Sequence, residues 1–223
     1  MSYARFAVYF VPPDGPLAEF GAAWLGWDVV RGQTITQPDI PGLSDITATP
    51  RKYGLHGTLK PPFRLAEGCD PAALEQAVAD LARGLAPATC DGLALTTLGS
   101  FLALTPHGDG AGLARVAAAC VTGLDDFRAA PDEAELARRR SAGLSDRQEA
   151  LLTAWGYPYV LEEFRFHLTL SGRLPEADLA RWAQTLRGHM PELPEPFPID
   201  QIALCGERPD GRFELIHRYA LAG

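Results

Sequence analysis

The chain has 223 residues, 47% of them hydrophobic and 22% charged, and carries a formal net charge of −8. That balance suits one large domain, or two small fused lobes, with a full core, and it excludes a disordered chain; no apolar run reaches the ~18–20 residues of a membrane span. The negative charge excludes a basic coat for extended nucleic acid, but not a small anionic substrate in a locally basic cleft.

Arg5–Val11 reads RFAVYFV, a buried strand closed by Pro12-Pro13. Residues Met1–Arg5 lead into it without a charged n-region or an apolar h-region, so no signal peptide is expected. Leu17–Leu25 is a short helix, and a Gly/Pro-punctuated stretch follows to about Pro50. Leu55–Leu59 is a strand that stops at Pro61-Pro62. Asp70-Pro71 supplies an N-cap and a first-turn proline for a helix to about Leu85. Leu93–Leu98 and Phe101–Thr105 form a hairpin around Gly99, and Gly112–Arg128 is helical. An Ala/Arg/Glu-rich insert over about residues 132–156 splits at Gly143, with Ser145 and Gln148 as a capping box for its second helix. Its Arg138-Arg139-Arg140 run reads as a solvated helix face, with a substrate contact as the minor alternative. Phe164–Leu174 is a strand, Glu176–His189 a helix, and Ile199–Cys205 and Arg212–Leu221 are strands joined at Pro209-Asp210-Gly211. Cys69, Cys90, Cys120 and Cys205 lie far apart without a CxxC pair, as expected of reduced thiols in a cytoplasmic protein.

The second half repeats the first. His56-Gly57-Thr58-Leu59 is followed by a proline-started helix, a proline break and two strands, and so is His167-Leu168-Thr169-Leu170. Two such copies predict an α+β fold, one domain over 1–223 made of two pseudo-symmetric lobes of mostly antiparallel sheet with outer helices and a cleft between them. Side chains alternate faces along a strand. Glu163, Arg165, His167, Thr169, Ser171 and Arg173 therefore share one face of the second motif, and Lys52, Gly54, His56, Thr58 and Lys60 share one face of the first.

Phosphodiester chemistry wants this set. Imidazole titrates near neutrality, so one histidine can take a proton from the attacking oxygen while the other protonates the leaving oxygen. Thr58 and Thr169 can hydrogen-bond the non-bridging oxygens, and flanking cations can stabilise charge in the transition state. His56, Thr58, His167 and Thr169 are the candidate catalytic residues. Lys60, Arg165 and Arg173 are candidate phosphate contacts, with surface ion pairing as the plainer reading of both arginines. Tyr53 is a candidate stacking residue, although strand parity turns it toward the core. Tyr9 is a weaker candidate near the cleft. His107, His189 and His217 have no partner in sequence, and no HExxH, cysteine cluster or acidic ligand set suggests a metal.

The paired motifs resemble the His-x-Thr/Ser-x signature of the 2H phosphoesterase superfamily. The contexts Tyr53-Gly54-Leu55-His56-Gly57-Thr58-Leu59-Lys60-Pro61-Pro62-Phe63 and Phe164-Arg165-Phe166-His167-Leu168-Thr169-Leu170-Ser171-Gly172-Arg173-Leu174 resemble its DUF1045-like branch, associated with bacterial phosphonate-utilisation operons. Gly57 departs from the apolar residue usual between His and Thr, which bears on packing more than on catalysis. The resemblance implies a bilobed 2H phosphoesterase/RNA-ligase-like fold and hydrolysis of a cyclic phosphodiester, a cyclic nucleotide or sugar phosphate, without metal or other cofactor. The expected partner is a small phosphorylated substrate, with no extended nucleic acid and no membrane, and a monomer is favoured. The alternatives are a non-catalytic nucleotide- or phosphate-binding module and an enzyme processing RNA 2′,3′-cyclic phosphate ends.

Overall fold

Phe6–Phe10 (β1) is apolar along its whole length and buried on both faces. A strand of that kind belongs in the interior of a sheet, and the computed structural model, which describes residues 3–141 and 143–223, places it there. After β1 come α1 (Pro16–Leu25), the short strands β2 (Trp27–Asp28) and β3 (Gln33–Thr34), and α2 (Leu43–Thr47). The first motif opens β4 (Gly57–Phe63), followed by α3 (Pro71–Arg83), β5 (Ala88–Cys90), the hairpin β6 (Gly92–Leu98) and β7 (Phe101–His107), and α4 (Ala111–Gly123). The insert folds as α5 (Glu133–Arg140) and α6 (Asp146–Trp155). Then come β8 (Leu168–Thr169) with the second motif, α7 (Glu176–Arg187), β9 (Phe197–Ile199), β10 (Gln201–Glu207) and β11 (Phe213–Ala220).

Seven strands form one antiparallel sheet in the order β11-β10-β1-β4-β8-β7-β6. It consists of two half-sheets. The seam between β4 and β8 is a single registered pair, Gly57 with Leu168. The halves exchange hairpins: β6–β7, downstream of the first motif, pairs with β8, while β10–β11, downstream of the second, joins β4 through β1. The two histidine motifs are thereby neighbours across the seam, although 111 residues apart in sequence (167 − 56). The main core lies on one face, where Val8, Phe10, Leu59 and Leu168 meet Leu74 and Val78 of α3, Val116 and Cys120 of α4, and Trp182 and Leu186 of α7. Tyr9, Ala203, Cys205 and Phe213 lie in a smaller cluster on the opposite side of the sheet, with Trp27 and Val29.

Several local signals translate directly. Asp70 accepts from Ala73 N at 2.8 Å and caps α3. Ser145 and Gln148 make the reciprocal capping box of α6. Gly99 turns the β6–β7 hairpin at φ +58°, a left-handed conformation that suits glycine.

Other boundaries differ from the sequence reading. β4 begins at Gly57, not Leu55, and runs through Pro61-Pro62 to Phe63. Between the pairs Phe6–Phe63 and Val8–Lys60 the register slips, so β4 spends an extra residue there. A bulge tolerates proline, and the other edge of β4 is laddered only at Gly57. The strand expected over Phe164–Leu174 shrinks to Leu168–Thr169, the stretch that pairs with Gly57 of β4 and with Ala103 and Leu104 of β7, and a 3-10 turn at Leu161–Glu163 precedes it. The alternation of burial persists nonetheless: Phe166, Leu168 and Leu170 are buried, while His167 and Thr169 are partly open. The helix expected over Gly112–Arg128 ends at Gly123 and is followed by a 3-10 turn at Asp125–Phe127. No helix among the described residues is long and apolar enough to cross a membrane.

Candidate active site

His56 sits just before β4, on the turn made by Pro50–Lys52 and Gly54. Gly54 adopts φ +68°, and a Cβ there would stand 2.8 Å from Val29, so glycine is required on both counts. Its carbonyl accepts a hydrogen bond from His56 Nδ1 at 2.9 Å. The same device recurs at the second motif, where His167 Nδ1 lies 2.8 Å from the Arg165 carbonyl. A carbonyl can only accept, so Nδ1 carries the proton in both rings and Nε2 is left unprotonated, able to accept. Thr58 Oγ1 lies 3.3 Å from His56 Nε2. Burial holds His56 well below the usual histidine range, to about 4; the nearby His167 pushes in the same direction and the Gly54 carbonyl partly opposes both.

Gly57, between His56 and Thr58, is explained by contact. A Cβ there would lie 2.2 Å from the Phe166 ring. Phe166 precedes His167 and packs against Phe10 and Phe197, so the missing side chain lets the two motifs close against each other.

The motifs open onto a cleft of about 560 Å³, lined by His56, Thr58, Thr169, Tyr9, Tyr53, Phe101, Tyr157 and four arginines, among others. Among the described residues no carboxylate belongs to its lining. That is a cationic site in a chain of net charge −8, of a size that holds a small organic ligand. His167 packs 5.7 Å from the ring of Phe101 on the cleft wall.

The arginines are not equivalent. Arg5 is paired bidentately with Glu207 at 2.6 and 2.8 Å. Arg139 is paired with Glu135 at 2.9 Å and stands over the Tyr157 ring at 4.5 Å. Arg140 turns outward to Glu149. Arg138 and Arg173 are exposed to the cleft and form no ion pair among the described residues.

The structure brings together His56, Thr58, His167, Thr169, Tyr53 and Arg173, and separates the rest. Lys60 is a correction. It is 2% exposed, and its Nζ donates to the Val121 carbonyl at 2.9 Å beside Asp125 at 3.5 Å. Burial lowers its ammonium to about 8, with Asp125 opposing. Lys60 does not share the face of Thr58: the register slips again between Val8–Lys60 and Tyr9–Thr58, so Lys60 lies opposite Val8 on the core side, where it meets Val121 of α4, with Trp155, Gly156 and Tyr157 nearby. Arg165 is likewise placed elsewhere: its carbonyl serves His167, while its exposed side chain is absent from the cleft lining. Ser171 is buried and spent on structure, accepting from Leu102 N and donating to the Gly172 carbonyl, both at 2.9 Å. Tyr53 lines the cleft instead of the core because it precedes the strand, where parity does not apply. Sequence reasoning passed over Arg5 and Tyr157, and gave a substrate contact by the Arg138-Arg139-Arg140 run, two of whose arginines line the cleft, only as the minor alternative. The spacing of that run to the motifs carries no trace of where the insert lands.

Among the described residues no three His, Cys, Asp or Glu side chains gather to hold a metal ion.

Comparison with known proteins agrees with the motif reading at the level of family. A family model described as "Protein of unknown function (DUF1045)" matches residues 58–214, taking in Thr58, His167 and Thr169. Two relatives are named ribose 1,5-bisphosphate phosphokinase PhnN. That of Janthinobacterium sp. (strain Marseille) is 43% identical over 183 residues, 79% of this chain and 40% of that protein. That of Laribacter hongkongensis (strain HLHK9) is 37% identical over 190 residues, 83% and 44% respectively. The chain thus spans less than half the length of these relatives. Among solved structures, TT0787 of Thermus thermophilus is 16% identical with a TM-score of 0.47 over 98% of both chains. E. coli LigT complexed with 3′-AMP is 16% identical with a TM-score of 0.45 over the whole of both. With 157 residues (58–214) inside the family model, the chain belongs to the DUF1045 family.

Proposed function

We propose that this protein is a phosphoesterase that opens a cyclic phosphodiester by paired histidine acid–base catalysis, without a metal. The observation that carries the reading is the duplicated device at the two motifs: a histidine with Nδ1 tied to the carbonyl two residues upstream, which leaves Nε2 unprotonated, and a threonine two residues downstream. His56, whose neutral form burial favours, is the base. Its Nε2 takes a proton from water as the water oxygen bonds to phosphorus. His167 enters as the imidazolium and gives its Nε2 proton to the leaving alkoxide as the ester P–O bond breaks. The hydroxyls of Thr58 and Thr169 donate to the non-bridging oxygens.

Arg138 and Arg173 favour a substrate with more negative charge than one diester, since unpaired guanidiniums in a carboxylate-free cleft attract anionic oxygens. The relatives' name concerns a phosphorylated ribose, and it supports a cyclic phosphate of a phosphorylated sugar over a nucleic-acid end. Tyr53, stacked on Phe213 at 5.2 Å, gives the ring of such a ligand a flat wall. The test is turnover of His56→Ala and His167→Ala beside the parent chain. Each loses roughly 10²–10⁴-fold in kcat, and the double variant loses little more, because the two residues act in one step. Two single variants of near-parental activity would sink the assignment.

A further inference from the structure

Tyr9 occupies the middle of β1 directly opposite Thr58 of β4. Residues opposite one another in an antiparallel pair project from the same face, so Tyr9 belongs to the catalytic side. Its strand is hydrogen-bonded on both edges, to β10 and to β4, and its side chain is fully buried. The ring lies 4.0 Å from the imidazole of His56, centroid to centroid, tilted by 37°. Tyr53 stands 5.7 Å from the same imidazole. Phe213 backs both tyrosines, at 5.9 Å from Tyr9 and 5.2 Å from Tyr53, and its carbonyl accepts from Trp27 Nε1 at 2.7 Å.

The bond from His56 Nδ1 to Gly54 holds one edge of the imidazole. Thr58 Oγ1, 3.3 Å from Nε2, is the hydroxyl that turns to the substrate. The torsion that turns a histidine ring is broad and roughly two-fold, so once Thr58 lets go the single Nδ1 bond leaves the plane free to rock. We infer that Tyr9 is a positioning residue: its buried ring is a fixed platform that sets the plane of the His56 imidazole and shuts water away from that face of the base. The inference rests on reading His56 as the general base, and adds the part that keeps it aligned and dry.

Two forces from such a platform oppose each other. An aromatic face attracts an imidazolium, whereas loss of hydration disfavours it. Burial is the largest influence on His56 and lowers it to about 4 from 6.5, so dehydration wins. The other titratable or charged groups around this wall are His167 across the cleft, Tyr53 from the turn, Arg5 of β1, Cys205 of β10, and Arg139 and Tyr157 of the insert. Arg5 and Arg139 are already paired with carboxylates.

The experiment follows the His56 imidazole by NMR through a pH titration, assigned with His56→Gln, in the parent, Tyr9→Phe and Tyr9→Leu chains, with kcat and KM measured in parallel. Tyr9→Phe keeps the platform and leaves the titration in place. Tyr9→Leu moves it upward by about one pH unit toward the ordinary histidine value and lowers kcat about tenfold or more through misalignment, with KM nearly unchanged. Tyr9→Met gives the same reading should Tyr9→Leu not fold. A titration unmoved in a folded Tyr9→Leu or Tyr9→Met chain overturns the platform. Because the imidazole signal needs no turnover, a Tyr9-dependent titration in a chain that cleaves nothing supports the platform while rejecting the proposed reaction.

Discussion

At each motif a single backbone carbonyl decides which imidazole nitrogen is available for chemistry. With Nδ1 of His56 and His167 committed to Gly54 and Arg165, catalysis has to run through Nε2, and the pH dependence follows. His56 titrates near 4 in the folded chain and near 6.5 when free. For a base required in its neutral form, the acid limb of kcat/KM is then set by His56, with activity lost as pH drops through about 4. A fall centred near 6.5 would mean that His56 is neither buried nor the base. Stability has its own sign. The unfolded chain takes up this proton at the higher pH, so it binds more protons than the folded chain between about 4 and 6.5, and the fold loses stability as pH falls through that window. The histidines and threonines were legible in sequence because a strand's alternation needs only local order. Parity failed for Lys60, which a bulge in β4 turns to the core side, and it did not apply to Tyr53, the stacking candidate that lines the cleft from before the strand begins.

The elements set how closely the two motifs approach. Gly57 and Phe166 are the contact at the seam of the half-sheets. Gly57→Ala forces a methyl into the Phe166 ring and costs about 1–3 kcal/mol of stability by overpacking, measured by denaturant or thermal unfolding. An unchanged or raised stability would show that Phe166 moves away freely and that the seam is loose. The helices and caps of α3 and α6 were readable from Asp70, Ser145 and Gln148, whose side chains act within one turn of themselves. The length of β8 and the course of β4 through Pro61-Pro62 were not, since both depend on which neighbour leaves an edge unladdered. Helix α5 of the insert carries Arg138 to the cleft, so Arg138→Gln and Arg173→Gln raise KM for an anionic substrate several-fold while leaving kcat within a small factor. Their effect shrinks at high salt, where exposed charges are screened. KM values that stay at the parental level for both variants would place the substrate's charge elsewhere.

Across the whole molecule, the repeat is what makes the site. Each copy lacks part of a half-sheet of its own, and the exchange of hairpins between copies brings His56 and His167 to opposite sides of one seam. The duplication was visible in the order of elements after each His-x-Thr, and with it the α+β class and the shared cleft; the exchange was not, because sequence order does not reveal which strands pair over long range. The contrast between a chain of net charge −8 and a carboxylate-free cleft with Arg138 and Arg173 unpaired among the described residues belongs to this scale too. Field lines from a lined cleft focus on small anions even when the distant surface repels large ones. The most direct measurement is ³¹P NMR, in EDTA, of the parent and His56→Ala chains incubated with 2′,3′-cyclic nucleotides, 3′,5′-cyclic nucleotides and ribose 1,2-cyclic phosphate. Conversion of a cyclic phosphate by the parent alone, undiminished by EDTA, is the predicted result. Conversion that EDTA abolishes, or that survives in His56→Ala, would contradict metal-free catalysis by the paired histidines.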